Sequence, residues 1–190
     1  MKVILIFLVI LLVPLSMAAA RLLCPNVPHV SVPSVCSNAC GTKYLYDHCT
    51  EAMRSGGIDP SPSHTEETTV YAILAAQQAI DSYSDTLDAL RIQLQQNKSL
   101  SGPESDAYDG CMDDYVASIN SLYVIAGPAL SNCLFEKLVS LYMDAMASLE
   151  TCRDRMLAPW MKKPPLYPKV ERDRSKVVMA YLLGQLLAGF

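Results

Sequence analysis

Apolar residues recur at steps of three and four along most of the chain, which is the spacing of one face of an α-helix. The longest stripe follows Ser63-His64-Thr65-Glu66, a pattern typical of a capping box at a helix start. It predicts an amphipathic helix over about 64–96. The members of this stripe are Ile73, Ala76, Ile80, Tyr83, Leu87, Leu90 and Leu94.

Two further stripes predict two more long helices. Ser101-Gly102-Pro103-Glu104 predicts a second capping box, and Gly127-Pro128 marks a break near the end of the helix that follows it. The apolar face of that helix comprises Tyr108, Cys111, Tyr115, Ile119 and Leu122. The third stripe comprises Leu134, Leu138, Leu141, Ala145, Ser148, Cys152 and Met156. A last helix is predicted from Glu171 to Leu187, after a proline-containing linker over 157–169.

The N-terminal part of the mature chain differs from this pattern. Residues 21–34 contain three prolines and predict an extended lead-in, followed by short helices over about 34–41 and 44–54. No alternating β pattern of any length occurs. The sequence therefore predicts an all-α fold, an up-down-up-down four-helix bundle with an N-terminal helical hairpin, as one domain over 35–190.

The first twenty residues are typical of a secretory signal peptide. A basic start at Met1-Lys2 precedes an apolar run from Val3 to Val13, and Ala18-Ala19-Ala20 offers a small-residue cleavage site. The run is shorter than the roughly 20 apolar residues that a membrane span requires. The C-terminal run from Val177 to Phe190 lacks the small-residue trio and polar spacer of a lipid-anchor signal. We expect a secreted, extracellular protein without a membrane anchor.

Charge and motif content exclude several functions. The chain has 15 basic and 19 acidic side chains, and loss of Lys2 with the signal peptide would make it more acidic, which argues against nucleic acid as a partner. The three histidines are scattered, and no metal-ligand spacing occurs. Asp113 and Asp114 are adjacent on a predicted helix, so they diverge by about 100° and cannot share a proton. We expect no catalytic residues, no metal and no cofactor.

Seven cysteines follow the predicted cleavage site, so an extracellular chain is expected to form disulfides and leave at least one thiol over. Cys111 and Cys152 lie on apolar faces of consecutive helices and are symmetric about Ser131-Asn132, so an antiparallel hairpin would place them at one height. Cys40 and Cys49 bracket the joint between the short helices. The sequence does not pair Cys24, Cys36 and Cys133. Cys24, in the proline-containing lead-in, is the best candidate for a free or intermolecular thiol.

One N-glycosylation sequon, Asn97-Lys98-Ser99, lies between two predicted helices. Ser101-Gly102-Pro103 follows it, which predicts an exposed loop. Asn97 is therefore a predicted glycosylation site.

A row of polar side chains lies off the apolar stripe of the second long helix, the one that contains Tyr108 and Leu122. Asp106, Asp109, Asp113 and Asn120 follow helical spacing, and Asp114 flanks them. Such a row is either a solvated acidic face or a contact surface for a partner.

Several short motifs, in this order, resemble the plant cell-wall invertase and pectin methylesterase inhibitor family across residues 35–190. Its N-terminal hairpin is matched by the segment from Val35 to Cys49, through Cys36, Cys40, Thr42 and Tyr46. The part of the family pattern that follows is matched by Asp59-Pro60-Ser61-Pro62-Ser63. The later matches are Cys111, Tyr115, Ser118 and Leu122, and then Cys152-Arg153-Asp154 at a distance from Cys111 that is typical of the family.

The resemblance implies a non-catalytic four-helix bundle that binds a cell-wall enzyme one to one and covers its substrate cleft. The disulfides it implies are Cys40–Cys49 and Cys111–Cys152, with Cys36–Cys49 as the alternative for the first pair. The partner-binding positions it implies are Asp113, Asp114, Asn120 and Asp154.

The target enzyme is either pectin methylesterase or invertase. Invertase inhibitors of this kind carry Pro-Lys-Phe before the helix of the fourth cysteine, where this chain has Phe135-Glu136-Lys137. The polar positions after Cys111 and Cys152 favour pectin methylesterase, although Ala117 stands where an acidic residue is typical. A non-inhibitory helical binding module is the remaining alternative. A helical lipid carrier would show Cys-Cys and Cys-x-Cys motifs, and neither occurs.

Overall fold

A computed structural model describes residues 24–161 and 164–189, and the predicted signal peptide lies outside these residues. Two short strands, β1 (His29–Ser31) and β2 (Thr65–Glu67), and six α-helices make up most of the regular structure of the described part. The helices are α1 (Val32–Ala39), α2 (Lys43–Ser55), α3 (Thr68–Gln96), α4 (Gly102–Val124), α5 (Leu138–Met156) and α6 (Tyr167–Leu187).

Helices α3 to α6 form a four-helix bundle, which confirms the predicted fold class. Each packs against its sequence neighbour, and α6 returns to α3, so the four close into a ring. The short helices α1 and α2 pack on α6 and α3, at the edge of the bundle opposite the α4–α5 edge. The predicted stripes of α3 and α4 face the interior, where Tyr83, Leu90, Tyr115 and Leu122 are all buried. The third stripe is shorter than predicted, because α5 begins at Leu138 and Leu134 before it is 41% exposed.

The bundle core encloses an acidic side chain, Asp173 on α6, which is fully buried. Its carboxylate accepts hydrogen bonds from the hydroxyls of Ser82, Thr86 (2.6 Å) and Tyr115 (2.7 Å), which come from α3 and α4. Burial raises the pKa of Asp173 above its ordinary value, while these hydrogen bonds and the charge of Lys176 oppose the rise. The network therefore joins three of the four bundle helices through one carboxyl group.

The start of α3 corrects one prediction. The helix begins at Thr68 rather than at 64, because Thr65–Glu67 pairs as an antiparallel strand with His29–Ser31. Glu67 is buried, and its carboxylate accepts from the backbone N–H of Cys24 at 3.1 Å. The predicted box at Ser63 is thus replaced by contacts with the lead-in. The second capping box is confirmed, with Glu104 accepting from the backbone N–H of Ser101 at 2.9 Å.

Further hydrogen bonds to α3 hold the lead-in in place, which the sequence predicted to be a proline-containing extended segment. The hydroxyl of Tyr71 donates to the carbonyl of Val30 at 2.7 Å, and the hydroxyl of Thr68 donates to that of Pro28 at 3.0 Å. Helix α6 also differs from its predicted start, since it begins at Tyr167 with Pro168 in its first turn. Proline is tolerated there because the first N–H groups of a helix have no partner within it.

Three disulfides join described cysteines, and they correct two of the cysteine predictions. Cys111 is joined to Cys152, as their positions on consecutive helices predicted. Cys49 is joined to Cys36, so the predicted Cys40–Cys49 pair is wrong and the alternative pair is present. Cys24 is joined to Cys133, so the prediction of a free or intermolecular Cys24 is also wrong. Cys40 is the free and buried thiol.

The helix end explains the choice between Cys36 and Cys40. Cys36 lies inside α1 with its Cα 5.7 Å from that of Cys49. This separation is within the range that a disulfide requires. Cys40 follows the last residue of α1, and its backbone is extended, with φ −108° and ψ 112°. The extended backbone turns Cys40 out of the helical register that Cys36 shares with α1. Burial raises the pKa of the Cys40 thiol.

The turn between α4 and α5 begins with a π-helical segment, Ile125–Ala129, that contains Pro128. This segment lies at the break predicted from Gly127-Pro128.

Asn97, the predicted glycosylation residue, directly follows the last residue of α3, and its side-chain oxygen accepts a hydrogen bond from the Ser99 hydroxyl at 2.6 Å. Within residues 24–161 and 164–189, no helix is long and apolar enough to cross a membrane, and no group of three or more His, Cys, Asp or Glu residues is placed to hold a metal ion.

Candidate functional site

The surface that carries the predicted partner-binding residues is the solvent side of the α4–α5 hairpin, called here the outer face. The Cys111–Cys152 disulfide joins the two helices, and the Ser118 hydroxyl donates to the carbonyl of Ala145 at 2.9 Å. Both links are buried beneath the exposed side chains. The outer face is therefore held on a rigid pair of helices, which reduces the entropy that a partner must overcome on binding.

The acidic row lies on the outer face as the helical spacing predicted. Asp106, Asp109, Asp113 and Asn120 are all exposed on α4. Asp113 and Asn120 are seven residues apart, so they point in nearly the same direction about 10 Å apart along the helix. Within the described residues these four side chains make no hydrogen bond or ion pair of their own. Their oxygens are thus available to donors on another molecule.

Asp114 differs from its neighbour Asp113. Its side chain is only 16% exposed, and it accepts from Nε of Arg155 on α5 at 3.1 Å. Burial is the main influence on its carboxyl group and raises the pKa of Asp114, while Arg155 opposes that rise. Gly110 makes room for this pair, because a Cβ atom there would lie 2.9 Å from Cζ of Arg155. Asp114 therefore links α4 to α5 rather than offering a free carboxylate.

Asp154 lies on α5 near the acidic end of the outer face. Its side chain is 69% exposed and contacts only Nη2 of Arg153, at 3.2 Å. Because Cys152 is joined to Cys111 in an antiparallel hairpin, Asp154 is level with the first half of α4. Asn120 lies about 16 Å farther along the hairpin axis. The structure thus places Asp113 and Asn120 in one row and Asp154 near its far end, rather than all in one cluster.

Exposed apolar side chains complete the outer face, and the sequence predictions did not include them. They begin at Val116, within the polar row, and continue toward the α4–α5 turn, and the largest is Tyr123, which is 56% exposed. The others are Val116, Val124, Val139 and Met143. The sequence could have indicated them, because they are apolar residues at positions outside the stripe that is predicted to be buried. Exposed aromatic and aliphatic side chains beside polar ones are typical of a protein-binding surface.

The residues that stand in place of the Pro-Lys-Phe triplet form the turn before α5. Phe135–Lys137 is a single 3-10 turn, with Phe135 buried and the side chains of Glu136 and Lys137 exposed. At the opposite end of the outer face, a cleft of about 230 Å³ lies between Asp106, Arg155 and the exposed ring of Trp160. Charged side chains therefore lie at both ends of the outer face, with the exposed ring of Trp160 among them at one end.

The contrast between Asp113 and Asp114 gives a stability prediction. Asp114→Asn weakens the pair with Arg155 and is expected to lower the free energy of unfolding by up to about 1 kcal/mol, since a partly exposed ion pair contributes no more. Asp113→Asn breaks no contact in the described structure and is expected to leave it unchanged. Urea denaturation followed by circular dichroism measures both, and a larger loss for Asp113→Asn would contradict the assignment.

Comparison with models of protein families gives no match, and comparison with curated proteins gives none. The chain is similar to a solved structure described as the crystal structure of mutant form A of a pectin methylesterase inhibitor from Arabidopsis. The TM-score is 0.64 at 15% sequence identity, over 82% of this chain and 97% of that chain. At this identity the similarity shows a shared fold, and nearly the whole of that inhibitor has a counterpart in this chain.

Proposed function

We propose that this chain is a secreted, non-catalytic inhibitor that binds pectin methylesterase one to one and covers its substrate cleft with the outer face. The observation that carries the proposal is the outer face itself. Unpaired Asp113 and Asn120 share this face with exposed Tyr123, on a hairpin held by a disulfide. The similarity to the Arabidopsis inhibitor, which extends over nearly all of that chain, supports the same role.

The chemistry of the outer face suits a protein partner. Tyrosine is among the residues that contribute most to binding when it is desolvated at the centre of an interface. Carboxylates at the margin steer association and select the partner more than they add affinity. The outer face provides a tyrosine with an acidic row beside it.

Secretion is part of the proposal. The apolar run and small residues of 1–20 are typical of a signal peptide. Disulfides such as the three in this chain persist in an oxidising compartment and are rare in a reducing one. We therefore assign the chain to the plant cell wall, where its proposed target acts.

Two substitutions on the outer face test the proposal. Tyr123→Ala removes an exposed ring and is expected to raise the inhibition constant for pectin methylesterase about tenfold or more. Asp113→Lys reverses a charge and is expected to slow association, with an effect that shrinks as salt is added. Titration of esterase activity with the oxidised chain measures the inhibition constant, and the time course of inhibition at two salt concentrations measures the association rate.

Matched controls lie on the other side of the bundle. Tyr44→Ala and Asp47→Lys make the same changes at exposed residues of α2, next to α3 and α6. They are expected to inhibit as well as the unmodified chain. Equal inhibition by all five proteins would exclude the outer face as the contact surface. Inhibition of invertase without inhibition of the esterase would replace the target, and binding without loss of activity of either enzyme would favour a non-inhibitory binding module.

A further inference from the structure

A second surface feature lies on the edge of the bundle opposite the outer face. It is a cleft of about 210 Å³ between α2, α3 and α6, called here the rear cleft. Apolar atoms of Ala52 and Met179 line it, together with Tyr44, His48, Arg172 and Lys176. The volume is below that of a typical drug-sized pocket and suits a compound with a single ring.

The rear cleft carries two basic side chains, Arg172 and Lys176, that no acidic side chain of the described residues holds in an ion pair. Arg172 and Lys176 are four residues apart on α6, so they lie on the same side of the helix. Neither makes a hydrogen bond or ion pair with any described residue, although the charge of Lys176 acts on the buried Asp173. The acidic residue of the lining, Glu51, is held by Arg54 at 2.6 Å. Two cations are thus free to contact an anion.

One wall of the rear cleft is aromatic. The Tyr44 ring is 59% exposed and meets the ring of His48 edge to face, with 4.4 Å between the ring centroids. Met179 and Ala52 supply the apolar surface beside it. A flat ring placed on this wall would remove apolar surface of both the ring and the wall from water, which favours binding.

The walls are held in place before any ligand binds. The Gln78 side chain on α3 donates to the carbonyl of Ala52 at 2.7 Å, which fixes α2 against the bundle. The Cys36–Cys49 disulfide fixes α2 to α1. A preformed cleft costs little ordering entropy on binding.

We propose that the rear cleft binds a small compound with one carboxylate on a single ring. The planar Arg172 guanidinium offers two parallel N–H donors to the carboxylate, and Lys176 adds a point charge. The ring packs on Tyr44 and Ala52. The ring is either aromatic or a sugar, because both present a flat or apolar face to the tyrosine.

Nuclear magnetic resonance titration of the oxidised, 15N-labelled chain tests this binding. Benzoate and glucuronate are the two ligands, benzyl alcohol and glucose are their neutral counterparts, and acetate is the carboxylate without a ring. At least one ring carboxylate is expected to give saturable shifts confined to α2, the first half of α3 and the part of α6 from Arg172 to Met179. The neutral rings and acetate are expected to give none that saturate.

Variants identify the contacts. Arg172→Gln and Lys176→Gln are each expected to weaken binding about tenfold, the effect of losing a charge-assisted hydrogen bond. Arg91→Gln removes an exposed cation paired with Asp88 on α3 and is expected to change nothing. Three outcomes would overturn the proposal. Equal shifts with benzyl alcohol would mean that the cleft binds apolar rings without using the carboxylate, and equal affinity for acetate would mean unspecific anion binding. The absence of a saturable shift with either ring carboxylate would mean that the cleft is not a binding site. Tighter binding of benzoate would identify the ring as aromatic, and tighter binding of glucuronate would identify it as a sugar.

Discussion

Replacing Asp173 by alanine is expected to lower the free energy of unfolding by about 2–4 kcal/mol, because buried hydroxyl donors lose their acceptor. The main loss is at Tyr115, whose fully buried hydroxyl donates to this carboxylate at 2.7 Å. Thr86 is less affected, since its hydroxyl also lies 3.1 Å from the carbonyl of Ser82. Urea denaturation followed by circular dichroism measures the change.

The control for size and polarity is Asp173→Asn, which keeps one acceptor oxygen and is expected to lose less. Asp47→Ala, at an exposed acidic residue of α2, is expected to leave stability nearly unchanged. If Asp173→Ala unfolds at the same urea concentration as the unmodified chain, the network does not stabilise the bundle.

The same carboxyl group gives the stability a definite pH dependence. Burial raises the pKa of Asp173 in the folded chain above its ordinary value of 3.8, so the folded state binds a proton more tightly than the unfolded state. Its contribution is fully present below the unfolded pKa and is lost as pH rises through the folded pKa. The unmodified chain is therefore expected to lose this stability from about pH 4 upward, whereas Asp173→Asn lacks this component.

Replacing both Cys24 and Cys133 by serine is expected to lower the free energy of unfolding by about 4–5 kcal/mol. This disulfide spans 109 residues, so it removes the most chain entropy from the unfolded state. The Cys36–Cys49 link spans 13 residues. Its loss is expected to cost about 3 kcal/mol, because a shorter loop has less entropy to regain. Thermal and urea denaturation of the two double variants give the order.

Cys40→Ala is the matched control, because Cys40 is buried but cross-links nothing. It is expected to cost less than either double variant. A larger loss from the Cys36–Cys49 pair than from the Cys24–Cys133 pair would contradict the ranking by loop length. Mass mapping under non-reducing conditions is expected to find a peptide that links Cys24 to Cys133.

The long helices could be predicted from the sequence because their burial follows local periodicity. Tyr83, Leu90 and Tyr115 lie on the predicted faces and are buried. The start of α3 could not be predicted in this way. Ser63 and Glu66 have the spacing of a capping box, but strand pairing with His29–Ser31 takes its place. That competition involves residues more than thirty positions apart, which local patterns do not record.

The candidate site was predicted in part for the same reason. Helical spacing placed Asp113 and Asn120 on the solvent side, where they lie. It could not show that Asp114 is held by Arg155 of the next helix. Cys36 and Cys40 are one helical turn apart, so spacing alone could not show which of them is joined to Cys49. The disulfide forms with Cys36 because α1 ends before Cys40. Tyr123 was not predicted because it lies outside the buried stripe.

The order of the disulfides along the chain determines how the molecule withstands proteolysis. The loop from Cys24 to Cys133 and the loop from Cys111 to Cys152 overlap. A single backbone cut anywhere between Cys24 and Cys152 therefore leaves its two fragments covalently joined. A cut between Cys152 and the start of α6 separates the last helix from every cross-link. That helix carries Asp173, Arg172 and Lys176, so one cleavage after α5 would leave the buried carboxyl group and the cations of the rear cleft on a fragment that packing alone holds to the bundle.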